Sequence, residues 1–321
     1  MKGAKVLVTG GAGFIGSTLV KSLVKQGAEV RVLDNLSSGF TTNLNGLSNR
    51  VDFVEGDIRN AIACRNACRG VDFVFHMAAV VSVPSSVADP VTADAVNIGG
   101  TLNLLTAARD ARARKFIFSS SSAIYGATDR LPVRERDLPM PTSPYGVEKL
   151  YGEHMCRLFT ELHGLPTIAL RYFNVYGPGQ RPDSDYAAVI PKFISAMTSG
   201  NRPIIHGDGL QSRDFLFVTD VVDANLLAAC AESGSGETIN IARGSETTLI
   251  DLFEQIRAIT GKDIAPQFGD VRAGDIRRSY ANISQAKKLL KFRPKQTLES
   301  GLKRTVAYFT DPNSPGGDKK K

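Results

Sequence analysis

The stretch Thr9-Gly10-Gly11-Ala12-Gly13-Phe14-Ile15-Gly16 constrains this chain more than any other. It follows the apolar run Val6-Leu7-Val8 and opens an amphipathic segment ending near Gln26, so a strand, a tight turn and a helix are expected. Glycine permits positive φ, lets the backbone approach a ligand's pyrophosphate and allows close helix-on-strand packing, while the first helical N–H groups meet the negative charge. Gly11, Gly13 and Gly16 satisfy G-x-G-x-x-G, and Gly10, Gly13 and Gly16 satisfy G-x-x-G-x-x-G, so spacing alone does not say which glycines face a ligand. A second apolar run, residues 30–33, ends on Asp34, where a carboxylate can accept both hydroxyls of an adenine ribose and favours NAD over NADP. The bland alternative is a glycine-rich turn capping an ordinary helix, with Asp34 a turn residue.

Short apolar strands then alternate with helical segments, which predicts a doubly wound parallel α/β sheet. A strand over 51–57 ends on Asp57, followed by Ile58; both are placed to meet an adenine, and Asp57 also suits the N-cap of a helix over 59–69. Residues 71–79 read as a strand buried on both faces, with Ala78 and Ala79 leaving room for a cofactor and His76 a satisfied core histidine. One helix is expected over 91–113, containing Asn97, Gly99 and Gly100; interior glycines cost about 1 kcal/mol each, which close packing or a ligand contact would justify.

A strand over 115–118 opens into four serines, residues 119–122, expected over the crevice. Ser143 is a suitable N-cap and Pro144 a suitable first helical residue, so Tyr145 and Lys149 share a face of the following helix. A nearby ammonium, the helix end and an oxidised nicotinamide would each favour phenolate, lowering a phenol pKa of about 10 and making Tyr145 a candidate general base.

Composition narrows the partners. The 321 residues suggest about two domains or one elaborated α/β unit, and the net charge of +7 includes three lysines at 319–321, which leaves a mildly basic remainder without basic stretches interleaved with aromatics. An anionic small substrate explains this better than a nucleic acid. Cys64, Cys68, Cys156 and Cys230 form no disulfide framework and have no histidine at ligand spacing, so buried thiols in a reducing compartment and no structural metal are expected. Lys2 and Lys5 imitate a signal-peptide start, but the apolar run stops after three residues, and no stretch approaches the roughly 18 to 20 apolar residues of a membrane span. A cytoplasmic enzyme is expected.

These motifs resemble the extended short-chain dehydrogenase/reductase family, more narrowly its nucleotide-sugar epimerases and dehydratases. The resemblance covers nearly the whole chain and rests on residues 9–16, Asp57, the segment 76–79, Asn97, residues 119–126, Tyr145 to Lys149 and Arg171-Tyr172-Phe173-Asn174-Val175-Tyr176-Gly177-Pro178. It implies a Rossmann domain over 1–176 with a returning segment near 211–230, a smaller α/β substrate domain over 177–310, and tightly bound NAD. By the same resemblance Ser121 is the catalytic hydroxyl, Tyr145 the base, and Lys149 the residue that orients the nicotinamide ribose. Gly10, Gly13, Phe14, Ile15, Gly16, Asp34, Asn35, Asp57, Ile58, Ala78, Ala79, Asn97, Tyr145, Lys149 and Phe173 would bind the cofactor. Asn174, Val189, His206, Arg213, Arg272, Asp275 and Ser279 would join Ser121 around a UDP-sugar, Arg213 and Arg272 as diphosphate clamps unless they merely form surface salt bridges. A homodimer through helices near 91–113 and 145–162 is implied as well.

In the second half, a helix over 187–199, strands over 203–207 and 211–218, and helices over 248–261 and 284–290 are expected, with residues 311–321 a structureless tail or a remnant of cloning. The resemblance implies 4-epimerisation through a 4-keto sugar. Dehydratases and decarboxylases of the family carry acidic residues where this chain has Ser122 and Ala123. A non-catalytic NAD-sensing protein would be expected to have lost Tyr145 or Lys149. Where glucose-restricted relatives carry a tyrosine, this chain has Ser279, which leaves room for a 2-acetamido group unless Tyr280 or a neighbouring loop fills it.

Overall fold

A computed structural model describes residues 1–181, 188–271 and 275–311. The first half alternates β1 (Lys5–Thr9), α1 (Phe14–Lys25), β2 (Glu29–Asp34), β3 (Val51–Glu55), α2 (Ala61–Cys68), β4 (Phe73–His76), α3 (Val83–Ala88), α4 (Pro90–Asp94), α5 (Thr101–Asp110), β5 (Lys115–Ser121), α6 (Pro144–His163) and β6 (Thr167–Tyr172). The second half holds β7 (Val175–Tyr176), α7 (Val189–Thr198), β8 (Ile204–His206), β9 (Ser212–Arg213), β10 (Leu216–Phe217), α8 (Val218–Cys230), β11 (Thr238–Ile241), β12 (Thr247–Thr248), α9 (Leu249–Thr260), β13 (Gln267–Gly269), β14 (Arg278–Ser279) and α10 (Leu298–Thr310).

Seven strands form one parallel sheet in the order β11-β6-β5-β4-β1-β2-β3. Alternate side chains enter opposite cores. Val6 and Val8 pack with Leu19, Leu23 and Val221 on one face, while Leu7, Val74 and Phe116 pack with Cys64, Leu104 and Phe159 on the other. A third core, with Phe193, Phe253 and Leu302, lies in the second half. Strand order reverses between β1 and β4, which opens a crevice at their carboxyl ends. The expected Rossmann-type α/β architecture is present.

Several local expectations need correction. The helix after Asp57 is capped by Asn60, whose Oδ1 accepts from Ile62 and Ala63 N–H at 2.9 and 3.1 Å, so Asp57 is free for other contacts. β5 runs on through Ser121 because Ser119, Ser120 and Ser121 stay in register with Leu170, Arg171 and Tyr172 of β6. The helix expected over 91–113 is broken into α4, a π-helical turn at Ala95–Gly100 and α5. There a Cβ on Gly100 would meet the Ile58 side chain at 2.5 Å, the close packing that justifies one glycine; nothing in the structure accounts for Gly99.

The strand expected over 211–218 splits into β9 and β10 because the two pieces pair with different partners. Between them the buried Asp214 carboxylate accepts N–H bonds from Arg243, Gly244 and Ala281. The return to the sheet is longer than residues 211–230, since β11 pairs with β6. The helix expected at 187–199 is α7; its proposed first residue, and most of the expected tail, lie outside the described residues. Residues 284–290 supply a π-helical turn at Ala286–Leu290. No helix among the described residues is long and apolar enough to cross a membrane.

Candidate active site

The glycine turn resolves the ambiguity between the two patterns. Gly10 has φ +67°, and a Cβ there would lie 2.7 Å from the Ala78 nitrogen; a Cβ on Gly16 would overlap the Gly10 carbonyl. Gly10, Gly13 and Gly16 border a cavity of about 590 Å³, whereas Gly11 is packed against Val32. Gly13 caps α1 without a side-chain hydrogen bond, leaving the first helical N–H groups toward the turn. Phe14, Ile15, Asp34, Asn35, Asp57, Ile58, Ala78, Ala79, Tyr145, Lys149 and Phe173 border the same cavity.

At one end, Asp34 accepts from Ala12 N–H at 2.9 Å and Leu36 N–H at 2.8 Å. Asn35 donates to Asp57 at 2.9 Å, and the Arg59 guanidinium hydrogen-bonded to Asp57 holds its carboxyl down to about 2. Asn97 stands behind the wall. Its amide exchanges hydrogen bonds with the Val80 backbone at 2.9 and 3.0 Å and donates to Glu148 at 2.5 Å.

At the other end, Ser143 and Pro144 start α6 as expected, with Ser143 Oγ accepting from Gly146 N–H at 3.2 Å. Lys149 Nζ donates to the Ser119 carbonyl at 2.9 Å and lies 5.7 Å from the Tyr145 ring centroid. Burial lowers the Lys149 ammonium to about 8. Burial also pushes the Tyr145 phenol up to about 12, against a hydrogen bond with Ser121 and with help from the Glu148 carboxylate. Desolvation therefore outweighs the depression expected from Lys149 and the helix end. Of the serines, Ser120 donates to Glu153, and Ser121 Oγ accepts from Ala123 N–H at 3.1 Å.

A second cavity of about 270 Å³ adjoins the first, sharing Asn174, Val175, Ala188 and Arg213 as a common wall. Val189, His206 and Asp275 border the smaller cavity and Ser279 the larger. Arg213 is ion-paired with Asp275 and donates to the Ser212 and Ile276 carbonyls at 2.8 and 2.6 Å, so it is a braced, mostly buried guanidinium rather than a surface bridge. Asn174 donates to the Asp214 carbonyl at 3.3 Å, and His206 Nδ1 lies 3.0 Å from the Asp270 carbonyl oxygen. Arg272 lies outside the described residues.

Sequence reasoning passed over Glu148, Gln180, Gln211 and Ile276, which line or support these cavities. Glu148 carried a signal, since it stands three residues after Tyr145 and so on the same side of the helix. The fit for a dinucleotide rests on Gly10, whose missing Cβ opens the turn, on the free α1 terminus, and on Asp34 at the end of β2.

The profile of the NAD dependent epimerase/dehydratase family matches residues 6–242. A putative UDP-glucose 4-epimerase of Methanocaldococcus jannaschii is 39% identical over 310 residues, covering 96% of this chain and 99% of the relative. Among solved structures, a UDP-N-acetylglucosamine 4-epimerase from Methanobrevibacter ruminantium in complex with UDP-N-acetylmuramic acid is 42% identical with a TM-score of 0.93, covering 96% of this chain and 99% of that one. The UDP-glucose 4-epimerase of Thermus thermophilus in complex with NAD is 34% identical with a TM-score of 0.87, covering 96% and 99%. With NAD as its cofactor, the chain belongs to the NAD-dependent epimerase/dehydratase family.

Proposed function

We propose that this chain is a UDP-hexose 4-epimerase that interconverts UDP-glucose with UDP-galactose and UDP-N-acetylglucosamine with UDP-N-acetylgalactosamine. The observation that carries this reading is the convergence of Ser121, Tyr145, Lys149 and Phe173 on one cavity that continues past Asn174 and Arg213 into a second. The larger cavity holds the dinucleotide and the sugar, and the smaller one the nucleoside. Arg213, braced by Asp275, stands at their junction, where a diphosphate would lie.

NAD, when bound, supplies the hydride acceptor and donor for the sugar C4 and a positive ring that favours phenolate. Tyr145 takes the proton from the sugar O4 and returns it, while Ser121 hydrogen-bonds the same oxygen. Lys149, fixed by the Ser119 carbonyl, keeps an ammonium beside the phenol. The 4-keto sugar turns about its diphosphate linkage and is reduced from its opposite face, so there is no net redox change. Ser279 borders the larger cavity; the Tyr280 ring lies beneath the Arg278 guanidinium at 5.9 Å and is not among the bordering residues, which supports an open pocket on the sugar's C2 side.

Elimination across C5 and C6 needs a further acid and base. Among the described residues the only carboxylates bordering the larger cavity are Asp34 and Asp57, at the end opposite Tyr145. Glu153 is held by Arg171 and Ser120, and Glu135 accepts from Asn240 N–H. This favours epimerisation over a dehydratase or decarboxylase. Incubation with UDP-glucose should form UDP-galactose; a 4-keto-6-deoxy product would sink this reading, and normal NAD binding without turnover of any nucleotide sugar would favour a non-catalytic protein.

A further inference from the structure

His76 is buried at the end of β4, beneath the glycine turn, and takes no part in the chemistry described above. Its Nε2 lies 2.9 Å from Thr101 Oγ1, and Thr101 Oγ1 donates its one proton to the Asn97 carbonyl at 2.6 Å. Thr101 can therefore only accept from the ring, which places a proton on Nε2. Burial and the Lys149 charge keep the imidazole neutral, lowering it to about 3, so Nδ1 is an acceptor. Thr9 Oγ1, 2.9 Å away, then donates to Nδ1 and accepts from Ala78 N–H at 3.3 Å.

The result is one directed chain: Ala78 N–H to Thr9, Thr9 to His76, His76 to Thr101, Thr101 to the Asn97 carbonyl. Its two ends are separate walls of the cofactor crevice. At one end Thr9 holds the Ala78 N–H, and it is the Met77–Ala78 backbone that leaves no room for a Cβ on Gly10, the residue after Thr9. Asn97 sits in the π-helical turn, and its side chain holds Val80 and Glu148 of α6, the helix that carries Tyr145 and Lys149.

We infer that His76, as its neutral Nε2–H tautomer, is a positioning residue for the dinucleotide, holding the glycine turn and the π-helical turn at the separation the cofactor requires. Each hydrogen-bonded arm leaves a buried partner unsatisfied when it is removed. His76→Phe removes both arms, His76→Asn keeps an acceptor toward Thr9, and His76→Gln keeps a donor toward Thr101.

Calorimetry with NAD⁺ on the full chain should show a dissociation constant raised about tenfold or more in His76→Phe, with smaller increases in the two amide variants. A role confined to stability would lower the urea midpoint and leave NAD⁺ affinity within about twofold of wild type; that result overturns the inference. In case His76→Phe does not fold, Thr101→Val leaves the Thr9 arm in place and removes the Nε2 arm together with the link to the Asn97 carbonyl, and unchanged NAD⁺ affinity in it has the same force. Nitrogen-15 spectra of histidine-labelled protein should assign the proton to Nε2 of His76, one of four histidines in the chain; a proton on Nδ1 would contradict the directed chain.

Discussion

At Tyr145 burial and the Glu148 carboxylate pull against the hydrogen bond with Ser121. With the phenol up to about 12, the base role proposed for it depends on positive charge brought to the site. Tyr145→Phe should therefore lower kcat by about 10²- to 10⁴-fold while the dissociation constants for NAD⁺ and UDP, read by calorimetry, stay close to wild type. The role proposed for Ser279 is one of volume. Ser279→Tyr should depress turnover of the N-acetylated pair far more than that of UDP-glucose, and equal losses on both would defeat the open-pocket reading. His76 adds a pH dependence. Its folded pKa, about 3, lies below the ordinary value of 6.5, so its contribution to stability is complete above pH 6.5 and is lost as the pH falls toward 3. Urea midpoints measured from pH 7 to 4 should fall more steeply for wild type than for His76→Asn, which has no proton to gain there.

At the scale of elements, what could be read from the sequence was what local chemistry decides. Ser143 and Pro144 set the start of α6, and the glycine spacing set the first turn, because each acts on residues within one helical turn. The break between β9 and β10 was illegible because its cause is distant: Asp214 binds backbone from residues 243, 244 and 281. The π-helical turn was likewise hidden: its Asn97 is bonded to Val80 and Glu148, 17 and 51 residues away in sequence. α10 was missed although Leu298, Leu302, Val306 and Phe309 repeat at helical spacing and Thr297 caps it. Asn60 and Asp57 give the converse lesson, two capping residue types three positions apart of which Asn60 caps the helix. Asn60→Ala should remove about 1 kcal/mol of stability, seen in urea unfolding, with little change in NAD⁺ affinity.

For the whole molecule, α3, α4 and α6 pack together and leave Val87, Val91 and Val147 at 61%, 77% and 51% exposure. Such a group of apolar side chains fits the homodimer implied by the family resemblance. Sedimentation should give a dimeric mass for wild type and a monomeric one for Val91→Lys combined with Val147→Lys; a monomeric wild type would dispose of the dimer. The interleaving of the two halves has a different consequence, one that concerns birth rather than function. β6 is buried along its whole length, yet the strand that covers its edge, β11, is not made until residues 238–241 leave the ribosome. A nascent chain that has completed six of the seven sheet strands thus still presents an open apolar edge, and more than sixty further residues must be translated before it closes. The sheet begun in the first half is thus closed by a strand from the second, so a chain cut between β6 and β11 would keep that edge exposed.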